Sequence, residues 1–232
     1  MIFNESVEND SKPVNKTEKF MFDGERLIQH IIKQRYFEEE ISNEVNLSYS
    51  DNQVTVTTDY LTLVYTLNSE GYASQCVYSL SSQNRIYQFS YSAEGYLTGI
   101  VENIDDTEYS STSLTYENGD ITSISSKMNG LENKFIYEPG EESSTYHLPC
   151  LGLLEIHPLT FHIEALYAGL LGKDPRHFTM HSCPAGSNDE KTVYSYGFDK
   201  KGNPSRMICQ TTYAGGQASY YPYTRNISIS FE

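Results

Sequence analysis

The sequence predicts an all-β protein: an antiparallel meander of β-hairpins curled into a barrel-like sheet, with one α-helix inserted near the C-terminal third. Three observations lead to this class. An aromatic-rich hairpin motif recurs along the 232 residues, its turns are rich in Gly, Asn and Asp, and polarity alternates with a period of two. Consecutive hairpins form one sheet. Roughly fourteen strands exceed what an open twisted sheet holds, so we expect curvature or closure.

Seven copies of the motif define the strands. Each pairs two large apolar residues across a spacer, continues into a polar turn and emerges as a second strand. Asn and Gly provide the positive φ that tight hairpin turns require. In chain order, the turns are Asp23-Gly24, Ser50–Asn52, Asn68–Gly71, Ser92–Gly95, Asn118-Gly119, Pro139-Gly140 and Asp199–Gly202.

Alternation within the strands predicts one dry face. Tyr87, Phe89 and Tyr91 fall on one side of a strand, and Gln88 and Ser90 fall on the other. Tyrosine suits such a half-buried face because its ring is apolar and its hydroxyl is not. A lipid-facing barrel would instead have an apolar outer band, whereas polar residues interrupt both faces here.

We expect a flexible N-terminal tether over residues 1–18 and a single barrel-like domain over residues 19–232. The segment from Asn4 to Lys19 is polar and has no periodicity. No apolar leader follows Met1, so the chain is expected to be cytosolic or to begin after a processed leader.

The hairpin pattern stops between Tyr146 and Thr192, where we predict a helical insert at about 151–173. Pro158 suits a first helical turn and Gly172 a C-terminal stop. The predicted helix has about three turns and packs on the hydrophobic face or the open end of the sheet. Apolar residues recur at helical spacing at Leu159, Ile163, Leu166, Tyr167 and Leu170.

Charge and hydropathy exclude two classes of partner. With 31 acidic against 16 basic residues, the net charge is −15, which repels nucleic acid and anionic membrane surfaces. No apolar run approaches the ~20 residues of a transmembrane helix. The four cysteines allow three pairings. A Cys150–Cys183 clip across the insert is one option, but we favour free thiols, with Cys76 and Cys209 as small buried hydrophobes.

His177, His181 and Cys183 form the most metal-like cluster. Zinc accepts these ligand types, but the i, i+4 spacing of the histidines requires a helix, and Pro175 and Pro184 favour a loop. We therefore predict no metal and no cofactor.

A general acid–base pair could be drawn from His157 or His162 with Glu155 or Glu164. The alternative is that these residues form the polar side of the helix. No nucleophile elbow, zinc-protease motif or phosphate loop is present, so we predict no catalytic residues and no enzyme. A His157–glutamate hydrogen bond inside a cleft would favour catalysis.

The densest aromatic patch contains Tyr220, Tyr221 and Tyr223. Exposed rings of this kind can bind sugars, which makes these residues candidate ligand contacts. The alternative is ordinary cross-strand packing.

The repeated hairpins, together with the insert sequence Ala165-Leu-Tyr-Ala-Gly-Leu-Leu-Gly-Lys173-Asp-Pro, resemble a gut-bacterial family of domains of unknown function with a porin-like fold. The resemblance covers about Lys19 to Phe231. It implies a secreted or lipid-anchored protein of the cell envelope, at a periplasmic or outer-surface location, and brings no catalytic residues.

We therefore expect a non-catalytic envelope protein of unknown role that binds a glycan or another small amphipathic ligand. The alternative is a structural or protein-interaction module that docks a partner through its Tyr-rich sheet face. A wide cavity lined by tyrosine would favour the first, and a cavity filled by the helix would count against it. The sequence leaves the oligomeric state open.

Overall fold

The computed structural model describes residues 1–8, 14–36, 39–80, 83–143, 156–187, 190–213 and 223–231. They form a closed antiparallel barrel of 16 strands, in which each strand pairs with its neighbours in sequence and β1 pairs with β16. The strands are β1 (Ile2–Glu8), β2 (Val14–Asp23), β3 (Arg26–Tyr36), β4 (Glu39–Tyr49), β5 (Gln53–Thr57), β6 (Thr62–Leu67), β7 (Ala73–Leu80), β8 (Gln83–Tyr91), β9 (Leu97–Ile104), β10 (Thr107–Glu117), β11 (Asp120–Met128), β12 (Leu131–Ser143), β13 (His177–Pro184), β14 (Glu190–Phe198), β15 (Pro204–Tyr213) and β16 (Tyr223–Ser230). The predicted all-β, barrel-like class is thus confirmed.

The alternation of side chains between the two faces of each strand decides which of them form the core. In β5, Val54 and Val56 are buried, whereas Gln53 is exposed and Thr55 and Thr57 are half-buried. Successive residues of a strand point to opposite faces, so the apolar set lines the lumen. The outer face is rich in small polar side chains, as at Ser48, Gln88, Ser90, Ser113 and Thr115, all of which are exposed.

The two ends of the barrel differ. We call one of them the insert end, because β12 leads towards the insert there and β13 begins there after it. The short turns after β2, β4, β6, β8, β10 and β14 lie at the same end. At the other, the far end, lie the turns Asp105-Asp106 and Asn129-Gly130. Both have positive φ at their two central residues, as type I′ hairpin turns require.

The described part of the insert, residues 156–176, lies inside the barrel. It contains a short 3₁₀ helix (Leu159–Phe161) and one α-helix, α1 (Ile163–Tyr167). Leu159, Ala165, Tyr167, Leu170 and Leu171 are buried in the same core as the strand side chains. The insert therefore fills the lumen rather than covering the barrel from outside.

The helix is shorter than the three turns predicted for residues 151–173, of which 151–155 lie outside the described residues. The stop is Gly169, not Gly172. Gly169 has a φ of +70°, its N–H donates to Leu166 O, and the N–H of Leu170 donates to Ala165 O. This pair of bonds is the Schellman arrangement that ends a helix at a left-handed glycine.

The predicted tether is wrong as a structural element, because residues 2–8 are β1 and residues 14–18 begin β2. β1 pairs with β2 on one side and with β16 on the other. Phe3 and Glu5 are buried. The segment lacks visible periodicity because polar residues, including Glu5, occupy inward positions.

Two other local predictions need correction. Pro139-Gly140 is not a turn but lies within β12, at register shifts against β13; bulges are where a strand tolerates proline. The stretch from His177 to Cys183 is strand β13 rather than a loop, and Pro184 is its last residue. With β1 included, the wall has 16 strands instead of the roughly fourteen expected.

No disulfide joins Cys76, Cys183 and Cys209, the cysteines within the described ranges; Cys150 lies outside them. Cys76 and Cys209 are buried in the core. Among the described residues, no helix has the length and apolar character needed to cross a membrane.

Candidate functional site

The insert runs through the lumen and bonds to the wall along its path. Its residue 157 lies near the far end, and its last residues return to the insert end. There, Leu170 O accepts from Ala73 N–H, Lys173 N–H donates to Gly95 O, and Arg176 N–H donates to Gly119 O. Three successive turns of the wall are thereby tied to one segment, which fixes the side chains that the insert presents inside the barrel.

A buried carboxylate organises the far end of the lumen. Glu102 on β9 is fully buried. Its Oε2 accepts from His157 Nε2 at 2.6 Å and from Ser110 Oγ at 2.7 Å, and its Oε1 accepts from Tyr87 Oη at 3.2 Å. Arg85 Nη1 lies 3.2 Å from the same Oε1. We call these five residues the Glu102 cluster.

The cluster keeps Glu102 ionised. Burial alone would raise the pKa of this carboxyl group, but the hydrogen bonds from His157 and Ser110, with the charges of His157 and Arg85, outweigh burial and hold the pKa below its ordinary value. An ionised carboxylate only accepts hydrogen bonds. His157 therefore donates through Nε2, and its Nδ1 is the nitrogen left for other chemistry.

Backbone contacts hold His157 in place. The hydroxyls of Thr112 on β10 and Ser126 on β11 both donate to His157 O, each at 3.0 Å. Two adjacent strands thus hold the main chain of the insert while a third, β9, holds its imidazole. The position of this ring is set by the wall and not by a flexible loop.

The Glu102 cluster is partly open to solvent. The side chains of Arg85 and His157 are 19% and 25% exposed, although Glu102 is not exposed at all. Phe161 is 47% exposed, and its ring meets the His157 ring edge-on at 5.7 Å. Tyr109 approaches His157 from another side, at 6.4 Å. We call this partly open set, Arg85, Tyr109, His157 and Phe161, the far-end mouth.

A second polar cluster joins α1 to the opposite wall. His30 on β3 is fully buried; its Nδ1 lies 2.8 Å from Glu164 Oε1 of α1, and its Nε2 lies 3.3 Å from Glu18 Oε1 of β2. Lys16 Nζ pairs with Glu18 at 2.9 Å, and Phe20 stacks on the imidazole at 4.1 Å. Burial would lower the pKa of His30, but the two carboxylates outweigh burial and raise it.

His162, the third histidine of the lumen, is neutral. It is fully buried, its Nδ1 lies 2.8 Å from Tyr65 Oη, and its Nε2 has no hydrogen-bond partner. Tyr87 and Phe89 present their rings to it edge-on. Burial lowers the pKa of this imidazole to about 3, so it is a packed core residue and not a proton carrier near neutral pH.

The described part of the lumen contains free space beside the insert. A cavity of about 40 Å³ lies between the insert and β9–β11, which is room for a few water molecules. Ligand pockets are typically about 300–1,000 Å³. This cavity is thus too small to hold a ligand of that size. The lining includes Leu97, Leu114, Tyr116, Leu159, Leu166 and Leu171.

The metal-like residues do not converge. His177 Nδ1 bonds Asp120 Oδ2 and His181 Nδ1 bonds Glu138 Oε2, both at 2.9 Å. Each histidine of β13 is thus paired with a carboxylate of a different strand. Within the described ranges, no group of three or more His, Cys, Asp or Glu side chains is placed to hold a metal ion.

The tyrosines divide into two groups. Tyr220 and Tyr221 lie outside the described residues, and Tyr223 begins β16; their role as ligand contacts stays a prediction. The strand tyrosines Tyr65, Tyr87, Tyr137 and Tyr194 are buried inside the barrel. The Tyr-rich face of these strands is therefore the inner one.

Sequence reasoning found His157 but missed Glu102, Arg85 and His30. The missed signal is a charged residue at an inward position of an alternating strand. Arg85, Tyr87 and Phe89 occupy every second position of β8 and therefore share its inner face. Ile100 and Glu102 share the inner face of β9 for the same reason. A charge at such a position must find a partner in the lumen, which points to the insert.

A histidine oriented by a buried carboxylate is an arrangement that enzymes use for proton transfer. The partner is Glu102; Glu164 bonds His30 instead, and Glu155 lies outside the described residues. In the described part of the chain, however, no hydroxyl or thiol bonds to the His157 ring, and the Ser110 hydroxyl donates its hydrogen bond to Glu102. The arrangement can therefore bind and orient a polar group, whereas a nucleophilic mechanism has no nucleophile in contact.

Comparison with known proteins agrees with this architecture. A family model described as "Domain of unknown function (DUF4595) with porin-like fold" matches residues 20–206. A search of the curated proteins finds no match.

Two solved structures are similar over nearly the whole chain. A porin-like protein from Bacteroides uniformis has 28% sequence identity and a TM-score of 0.89, with 100% of this chain and 95% of that chain covered. A porin-like protein from Bacteroides vulgatus has 11% identity and a TM-score of 0.60, with 99% and 97% covered. The second likeness concerns the fold alone.

Proposed function

The chain belongs to this family of domains of unknown function with a porin-like fold, and from that premise we propose that it is a non-catalytic protein of the cell envelope that binds a small glycan or similar amphipathic ligand at the far-end mouth. The observation that carries the proposal is the Glu102 cluster beside Phe161. Polar groups held by a buried carboxylate lie next to an exposed ring. Sugars are recognised by this combination of directed hydrogen bonds and an apolar surface.

The filled lumen supports a binding role over passage of solutes. Barrels of 16 strands can enclose an aqueous channel, but here the insert and the inward aromatic side chains occupy the interior. The polar outer face supports a wall that contacts water or other polar surfaces. The barrel then acts as a rigid frame that positions the mouth.

The envelope location is the second part of the proposal. It rests on the similarity to porin-like proteins of Bacteroides, and includes a lipid anchor in the precursor, at a periplasmic or outer-surface site. Fractionation of the native organism, followed by detergent partitioning, tests it. Recovery of the protein only in the cytosolic fraction would contradict it.

Phe161→Ala tests the ligand site. We expect wild-type protein to bind members of a glycan array and the variant to lose at least ten-fold in affinity, because the ring supplies the apolar contact. Phe22→Ala is the matched control, since Phe22 is also an exposed phenylalanine (38%) but lies on β2 at the insert end. Equal losses in both variants, or no binding by the wild type, would contradict the proposal.

A second candidate is docking of a protein partner. The observation that favours it is a set of exposed apolar side chains towards the far end, namely Ile41, Tyr60, Met128 and Leu131. These side chains belong to β4, the β5–β6 turn, β11 and β12, and they differ from the Tyr-rich sheet face expected from the sequence. Cross-linking in cells with Leu131→Ser and Tyr60→Ser as test variants would distinguish it: a partner lost in both, with glycan binding intact, favours docking.

A further inference from the structure

We propose that the far-end mouth selects ligands that have a carboxylate, so that the preferred glycan is an acidic sugar with a uronate group. This inference rests on the proposed function, since it names the ligand class of the same site. It is carried by the state of one side chain, Arg85. This arginine has donors that the fold does not use.

Arg85 has five N–H donors. Nη1 is the atom near Glu102, at 3.2 Å. Nε is buried without a hydrogen-bond partner. Tyr87 also hydrogen-bonds to this side chain, and the guanidinium lies 5.8 Å from the ring centroids of both Tyr78 and Tyr109. Part of the donor capacity of Arg85 is thus unused within the described structure.

A carboxylate is the group that this arrangement fits. The edge of a guanidinium presents two parallel N–H groups at the spacing of carboxylate oxygens. The rings of Tyr78 and Tyr109, each 5.8 Å from the guanidinium carbon, limit how the group can turn.

His157 contributes the second contact. Its Nε2 is committed to Glu102, and its Nδ1 has no hydrogen-bond partner among the residues described. When the ring is neutral, Nδ1 accepts from a sugar hydroxyl; when it is doubly protonated, Nδ1 donates to the carboxylate. Phe161 lies edge-on to the imidazole and provides the apolar surface for the sugar ring.

The charge of the whole chain does not prevent this. Net charge is −15, but screening limits its reach to ~8 Å at physiological ionic strength. At the mouth, Glu102 is opposed by Arg85 and hydrogen-bonded by His157, and Asp105 of the neighbouring turn accepts from Asn84 N–H.

The test compares oligogalacturonate with its methyl ester, which is the same size but neutral, by calorimetry on the whole protein. We expect the acid to bind at least ten-fold more tightly than the ester, and this preference to weaken as salt is raised. Equal binding of acid and ester would overturn the carboxylate proposal and leave the proposed function intact. Failure of all glycans, neutral and acidic, would overturn both.

Arg85→Gln removes the charge, and we expect the acid-to-ester ratio to fall to about one. Because Glu102 is buried beside this arginine, the Arg85→Gln variant could fail to fold. Arg85→Lys keeps the charge but lacks the paired donors. We expect Arg85→Lys to lose about ten-fold in affinity for the acid. Arg225→Lys is the matched control, since Arg225 also pairs with a buried glutamate, Glu5, but on the opposite wall. An unchanged ratio in Arg85→Lys, or an equal loss in Arg225→Lys, would overturn the assignment of Arg85.

Discussion

At the scale of single residues, the lumen holds polar side chains whose protonation is set by what the insert brings to them. His30 gains two carboxylates, Glu18 and Glu164, whereas His162 lies among Tyr65, Tyr87 and Phe89. Both imidazoles are buried, but their pKa values shift in opposite directions: His30 favours its charged form and His162 its neutral form. The neighbours decide the sign, because desolvation acts on both in the same direction.

This contrast predicts opposite effects on stability at the two ends of the pH scale. The folded pKa of His162 is about 3, against 6.5 ordinarily. The contribution of the neutral His162 to the free energy of unfolding is complete above pH 6.5. It is lost as the pH falls, at ~1.4 kcal/mol per pH unit. The folded pKa of His30 is raised, so its contribution is complete below pH 6.5 and is lost as pH rises through that pKa.

Urea unfolding as a function of pH measures both effects. His162→Asn should flatten the slope of stability between pH 4 and 6, and His30→Gln should flatten the slope above pH 6.5. Each variant serves as the control for the other. Identical slopes in wild type and both variants would contradict the assignments.

Tyr65→Phe tests the hydrogen bond at the centre of the lumen. The phenol bonds His162 Nδ1 at 2.8 Å, and without it a buried imidazole has both nitrogens unpaired. We expect the free energy of unfolding to fall by about 1–3 kcal/mol. Tyr60→Phe, in a turn where the ring is 74% exposed, should change it by less than about 0.5 kcal/mol. Equal effects would show that the bond contributes nothing.

At the scale of elements, the contact between the insert and the wall depends on close backbone approach. Gly172 has a φ of +89°, and a Cβ there would lie 2.6 Å from Gly95 O and 3.0 Å from the Tyr91 ring. Gly71 has a φ of +85° and open space around it. The two glycines therefore separate the cost of a left-handed backbone from the cost of collision.

We expect Gly71→Ala to destabilise by about 1–2 kcal/mol through backbone strain alone. Gly172→Ala should cost about 1–3 kcal/mol more, because the insert must move away from the wall. Thermal unfolding of both variants measures the difference. If the two lose the same stability, the close approach of the insert to β8 and β9 is not needed.

The sequence was sufficient for most hairpins of the wall, but not for β1, for β13 or for what lies inside the barrel. Asn118-Gly119 and the alternation around Phe89 locate hairpins because turn and strand preferences act over a few residues. The insert is harder to read: α1 ends in a local Schellman arrangement at Gly169, but Gly172 also has a positive φ, and the sequence does not distinguish these two glycines. Glu102 and His157 are 55 residues apart, and only the closed barrel brings them together.

At the scale of the molecule, closure depends on β1. Its residues pair with β2 and β16, so its loss would expose the edges of both strands. Truncation of residues 1–8 should therefore remove a large share of the ~5–15 kcal/mol that stabilises a domain and promote association through the open edges. A tether, by contrast, could be removed without effect.

Circular dichroism melts and light scattering measure this outcome. Asn4→Ser, a change at an exposed position of β1, should leave both unchanged. A truncated protein that melts at the wild-type temperature and stays monomeric would show that β1 is dispensable for closure.

The position of the insert between β12 and β13 also has a consequence for the order of assembly. Twelve strands precede it in the chain and four follow it, and every pairing except β1 with β16 joins neighbours in sequence. Neighbouring hairpins can form early, since short loops close fastest, whereas the joining of the two chain ends has the longest loop to close. During synthesis, the insert can thus settle onto an open, curved sheet of twelve strands before the last four complete the circle. Placing the insert first would spare the protein from threading a buried segment into a finished barrel.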